Sequence, residues 1–221
     1  PSAARRLHLP MFVVTTQPNS PGARPVTFTL LQIPSLDIGR VHFVNLAASK
    51  QSTALDFLGS SPDGALAIGK LKGFSLDFDL PHGRFSLAEG SRCNGKAHPF
   101  TGAVAMIDMR EDSRNRPLIP VMLDGKTYTA ILDPSLPGIS ISARAAGLTR
   151  PADVRQPHGS DTKPGQHGWM HRFARLQIGA DRLRNVNLIV LGQDIPGADM
   201  IIGFSYFHFR RIILSLPDRL A

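Results

Sequence analysis

The sequence predicts an all-β protein built from two similar halves, and three observations carry the prediction. Gly (20) and Pro (18) are plentiful among 221 residues, which favours many short strands joined by turns over long helices. The apolar runs have strand length, and "SARAAGL" (Ser142 to Leu148) is the one convincing short helix. Three motifs also recur in the same order, at offsets of 140, 134 and 136 residues.

The repeats define the halves. "LDIGRVHFVNL" (Leu36 to Leu46) matches "LQIGADRLRNVNLIVL" (Leu176 to Leu191): Leu-x-Ile-Gly, a short polar turn, then an apolar strand. "ALAIG" and "DMIIG" each place two apolar residues before a Gly, as Ala67-Ile68-Gly69 and Ile201-Ile202-Gly203. An aromatic-bearing stretch follows in both, then an alternating strand stopped by Pro81 or Pro217. Between the halves, from Glu89 to Leu118, apolar periodicity weakens and turn residues cluster. The expected organisation is therefore a first lobe over 1–92, a linker over 93–115 and a second lobe over 116–221.

The second half explains itself element by element. "LIPVML" and "TYTAIL" flank Asp124-Gly125-Lys126, whose Asp-Gly pair suits a hairpin turn needing positive φ. Ser142 is a natural N-cap for the short helix, and Gly147 its stop. "PHGSDTKPGQHG" (Pro157 to Gly168) is a polar, Gly/Pro-rich loop of the kind that forms a lid ahead of the strand "WMHRFARLQIG".

Composition narrows the function. A hydrophobic fraction of 42% and a charged fraction of 19% describe an ordinary globular chain. No apolar run approaches the ~20 residues of a membrane span. The net charge of +8 is scattered, with Arg5-Arg6 and Arg210-Arg211 the only adjacent basic pairs, so a solvated surface is expected rather than a nucleic-acid partner. Cys93 stands alone, which excludes an internal disulfide and a cysteine zinc cluster. His167 and His171 are four apart, but Gly168 intervenes and the segment reads as strand, so no metal is expected. Neither a Gly-x-Ser-x-Gly elbow nor a phosphate-binding Gly-rich loop is present.

One carboxylate stands out. The apolar run Ala130-Ile131-Leu132 delivers Asp133 into the turn Pro134-Ser135, and Ile139-Ser140-Ile141 follows. On its local sequence Asp133 reads as a turn-opening residue bonded to its own backbone. Asp108, Glu111, Asp112, Asp124 and Asp194 sit among turn residues and are expected to be solvated.

The order of parts in the second half resembles the retropepsin-like aspartic peptidases, relatives of pepsin. The most specific stretches are "ILDPSLPGISISARAAGL" and "GADMIIGFSYF". The resemblance implies acid-protease-like β-barrel lobes related by duplication, and an endopeptidase whose two facing Asp share one proton and activate a water. It implies that Asp133 is the second-lobe acid, that Pro134 and Ser135 complete its triplet, and that Ile201-Ile202-Gly203 supports the loop. It also makes His158 to Trp169 a flap, with Gly165, Gly168 and Trp169 toward a peptide; core packing is the other role open to Trp169. The partner would be a peptide or protein substrate, with no organic cofactor or metal, no nucleic acid and no membrane span; two copies could dimerise to bring two Asp133 together. The exported habit of bacterial relatives points to periplasm or envelope.

Two positions depart from the family pattern. Its triplet is Asp-Thr/Ser-Gly, whereas Pro134 brings neither hydroxyl nor N–H, and Ser135 is less permissive than Gly. The repeat offset also carries the first-lobe Asp to between −7 and −1, ahead of Pro1, so the first lobe is expected to be N-terminally incomplete. A pseudo-peptidase that holds extended peptides without cutting them is the alternative.

Overall fold

The computed structural model describes residues 8–16, 26–49, 65–90, 105–149 and 168–221. The chain forms two compact units, Pro1–Leu66 and Ala67–Ala221. The all-β expectation is borne out: the described residues form thirteen strands, and the two α-helical segments are single turns of four residues. No helix among them is long and apolar enough to cross a membrane.

The first unit holds an antiparallel sheet of β1 (Met11–Thr16), β2 (Val26–Ile38) and β3 (Val41–Ser49), in that order. Its side chains alternate between exposed and half-buried, with none fully buried among the described residues.

The second unit carries the core. Its first strands are β4 (Phe74–Asp79), β5 (Arg84–Glu89) and β6 (Arg110–Glu111). Then come β7 (Pro117–Leu123) and β8 (Lys126–Leu132), joined by Asp124 (φ 48°) and Gly125 (φ 83°), the left-handed pair the hairpin needs. β9 (Ser140–Ser142) runs into α1 (Ala143–Ala146), where the Ser142 hydroxyl accepts the Ala145 N–H and left-handed Gly147 ends the turn. β10 (Gly168–Ile178), β11 (Asp181–Leu191), β12 (Met200–Ile202), α2 (Phe204–Phe207) and β13 (Arg211–Ser215) complete it.

Six strands close a barrel in the order β7-β8-β12-β9-β11-β10, and β10 returns to β7 through Leu176 opposite Leu123. β7 follows the period-two pattern of a strand with one wet face: Ile119, Val121 and Leu123 point inward while Pro120 and Met122 face solvent. β8 changes character along its length. Its end, Ala130-Ile131-Leu132, is buried on both faces because β12 runs parallel beside it. Burial of each such aliphatic side chain contributes roughly 1.5–3 kcal/mol, which anchors the residue that follows.

The sequence repeat has a structural counterpart. The β2–β3 and β10–β11 hairpins both turn on a left-handed Gly, Gly39 (φ 60°) and Gly179 (φ 57°). Both ladders then skip one pair, at Asn45 (φ 53°) and Asn185 (φ 52°), with the register unchanged on either side, so each hairpin carries the same interruption 140 residues apart. The sequence of exposed and inward positions is likewise shared.

A second sheet, ordered β13-β4-β5, joins the two repeated terminal strands. At the offset of 136 residues, Asp77 and Ile213 are counterparts, and they are also the pair directly opposite each other in the antiparallel register. The duplicated strands thus pair about a local twofold axis. Arg211 grips Asp77 there with two hydrogen bonds, of 3.0 and 2.6 Å. Residues assigned to the linker join this unit: Ile107 exchanges backbone hydrogen bonds with Ala221, Met109 is buried, and β6 pairs with β7.

Candidate functional site

β8 ends at the centre of the barrel wall, and its continuation is held from below. The Asp133 N–H donates to the Ile202 carbonyl at 3.0 Å, extending the parallel β8–β12 ladder by one residue. The loop then turns over the Gly203 backbone. Phe204 and Ser205 donate their amides to the Leu136 and Pro137 carbonyls at 2.6 and 3.0 Å. A Cβ on Gly203 would overlap the carbonyl oxygens of Leu136 and Gly138, so no other residue lets β12 pass this close. The Ile201-Ile202-Gly203 element therefore lies directly beneath the Asp133 loop. Ile202 is fully buried, whereas Ile201 is half-buried between β8 and β9.

Asp133 itself is half-buried at the mouth of this loop. Its Oδ1 accepts both the Ser135 N–H (3.0 Å) and the Ser135 hydroxyl (2.5 Å). This local capture is the turn-opening geometry that the short sequence context suggests. Among the described residues no donor reaches Oδ2. One oxygen is thus tied to Ser135 and the other makes no hydrogen bond to a described residue. Pro134 lies between them and offers no donor of its own.

The flap candidates divide. Gly165 lies outside the described residues. Gly168 opens β10, and a Cβ there would strike Ile189 and the Val190 carbonyl, so it permits close pairing with β11. Trp169 is 6% exposed and packs into the barrel interior, so of its two candidate roles core packing is the one its position serves. Cys93, His158 and His167 also lie outside the described residues. His171 lies on β10 with its ring against Phe173.

Beside the Asp133 loop runs an open apolar groove of about 350 Å³, lined by Gly138, Ile139, Met170, Ser205 and the β11 stretch Val186 to Ile189. It begins five residues beyond Asp133, and Asp133 does not line it.

One carboxylate expected in solvent is not there. The Asp112 side chain is 8% exposed and clamps Arg116 through ion-pair contacts of 2.6–2.7 Å, while the Arg114 and Arg116 amides cap its Oδ1. Burial pushes its pKa upward, but the Arg116 and Arg114 hydrogen bonds and the Arg116 charge outweigh that and hold it below the ordinary carboxylate value. The Arg116 guanidinium also reaches the Pro196 carbonyl, fastening the turn before β12. The spacing Asp-x-x-x-Arg before a strand is the sequence signal for such a clamp. A second unforeseen cluster joins Tyr206, Asp181 and Arg210, with the guanidinium 4.2 Å over the Tyr206 ring. Burial first, and then the Asp181 charge, push the Tyr206 hydroxyl pKa well above its usual value. Among the described residues no three His, Cys, Asp or Glu side chains converge on a common point.

No protein-family model and no curated protein matches the chain. Among solved structures it is similar to a retropepsin-like aspartic protease from Rickettsia conorii, at 13% identity and a TM-score of 0.35, over 46% of this chain and 75% of that one.

Proposed function

We propose that this chain supplies one half of an aspartic endopeptidase site, with Asp133 as one of two carboxylates that share a proton and activate a water against a peptide bond. The observation that carries the reading is the seating of the Asp133 loop on Ile202-Gly203: the amide is pinned, the backbone beneath admits only Gly, and one carboxylate oxygen stays open. The local twofold between β4 and β13 supports it, because a duplicated pair of halves facing across an axis is what brings two equivalent acids together. The second acid belongs at the equivalent loop of the other half, or to Asp133 of a second copy.

The test is hydrolysis of a denatured protein at acidic pH by the full-length protein, with and without a statine-type inhibitor. Activity that the inhibitor blocks and Asp133→Asn abolishes is the expected result. Activity unchanged in Asp133→Asn overturns the reading.

Pro134 favours a second reading, a pseudo-peptidase that holds an extended peptide in the groove. The position where a hydroxyl would tie two loops together has no donor. Binding without cleavage, indifferent to Asp133→Asn, is its signature.

A further inference from the structure

The outer face of the β10–β11 hairpin carries four exposed arginines, Arg172, Arg175, Arg182 and Arg184. The register aligns them. Arg175 is directly opposite Arg184, with Gln177–Arg182 on one side and Arg172–Asn187 on the other. Like charges directly opposite in a sheet repel and destabilise the pairing. Among the described residues no carboxylate lies within ion-pairing distance of these four. Of the neighbouring acids, Asp181 is committed to Arg210, and Asp124 accepts the Arg175 backbone N–H from the β7–β8 turn.

The hairpin does not need this charge, and the molecule contains its own control. The β2–β3 hairpin has the same turn, the same left-handed Asn at a skipped pair and the same exposed positions, and there the four equivalents are Gln32, Ser35, His42 and Val44. The scaffold forms without a single arginine at those sites. Four accumulated on one copy call for a counter-charge that the described part of the chain does not provide.

We infer that this face docks an acidic polypeptide segment. The arginine track runs directly into the apolar groove, because Asn187, which is opposite Arg172, and Met170 and Ile189, the next outward pair, all line it. Acidic and apolar side chains on one extended strand would satisfy both parts. A nucleic acid fits less well: no aromatic ring stands on this face for a base to stack on, and a phosphodiester backbone has nothing for the groove. From Met170 to Gln177 the face spans about 23 Å, which a peptide of about ten residues covers. The inference does not rest on proteolysis, since it is read as binding.

The experiment is fluorescence anisotropy with a labelled, glutamate-rich peptide of about ten residues that carries one central leucine. The expected result is saturable binding that weakens as salt rises and drops by more than about tenfold in Arg175→Glu/Arg184→Glu. Arg182→Gln/Arg184→Gln, which removes charge without reversing it, is expected to weaken binding in the same direction with a melting temperature that does not fall, since the Arg175–Arg184 repulsion is relieved. His42→Glu/Val44→Glu on the other hairpin should leave binding intact. Binding equal in wild type and both arginine variants overturns the inference. So does tighter arginine-dependent binding of duplex DNA or of phosphatidylserine vesicles at the same ionic strength.

Discussion

Gly203 shows how far one residue governs the site. Its missing side chain lets β12 slide under the Asp133 loop, and two carbonyl oxygens occupy the place a methyl would take. Gly203→Ala is therefore expected to cost about 2–3 kcal/mol through overpacking, read as a fall in the urea midpoint, and to abolish any Asp133-dependent activity. Asp112 acts at the same scale through charge. Its folded pKa lies below the ordinary carboxylate value, so the unfolded chain takes up the proton first. The stability it contributes is fully present above about pH 4 and is lost as pH falls through that value toward the lower folded pKa. Asp112→Asn is expected to cost about 1–2 kcal/mol at neutral pH, and its deficit should shrink as pH falls toward about 3, measured by thermal melts of both proteins. Neither residue announced this weight equally in the sequence. Gly203 was legible because two apolar residues and a Gly recur in both halves. Asp112 sat among turn residues, and only the fold shows that Arg116 and the β12 approach close over it.

At the scale of elements, the hairpins repay comparison. A non-Gly residue in left-handed backbone is tolerated at Asn45 and Asn185 because Asn bears that conformation better than other residues with a Cβ. Asn185→Val is expected to lose about 1–2 kcal/mol, while Asn185→Gly should be neutral or slightly stabilising; chemical denaturation of the two variants checks both signs. Strand identities, the Asp124-Gly125 turn and the Ser142-capped helix were all legible, since each is written in local chemistry. The interruption of the two ladders was half visible: the repeat aligned Asn45 with Asn185, but a left-handed φ is not encoded by periodicity. The parallel β8–β12 pairing and the closure of β10 on β7 were not legible from any local pattern, because they join residues distant in sequence. For Asp133 the sequence supplied the residue and the strand leading to it. Its capture by Ser135 is the local turn that the short context suggests, whereas the groove beside it depends on how Gly138 and Ile139 meet β11.

At the scale of the whole molecule, the two units differ in how they are held together. Ala67–Ala221 contains every fully buried side chain among the described residues, from Leu71 to Leu216. It is expected to fold alone: a chain beginning at Ala67 should unfold in a single cooperative urea transition, and a gradual, non-cooperative loss of signal would contradict that. The likeness of the β2–β3 and β10–β11 hairpins was legible because the Leu-x-Ile-Gly pattern recurs at an offset of 140 residues. The way residues 107–109 bond to residues 219–221, and Arg110 and Glu111 to β7, was not, since their short apolar stretch is punctuated by charge and reads as a connection.

The seam between β4 and β13 also has a consequence for how the molecule is born. The strand that finishes the sheet ends six residues before Ala221, and Ala221 itself bonds to Ile107. A ribosome must therefore make Arg211–Ser215 before the earlier partner strand can be matched, and until then β4 waits with that edge bare. A chain interrupted between β5 and Arg211 would leave that wait without an end.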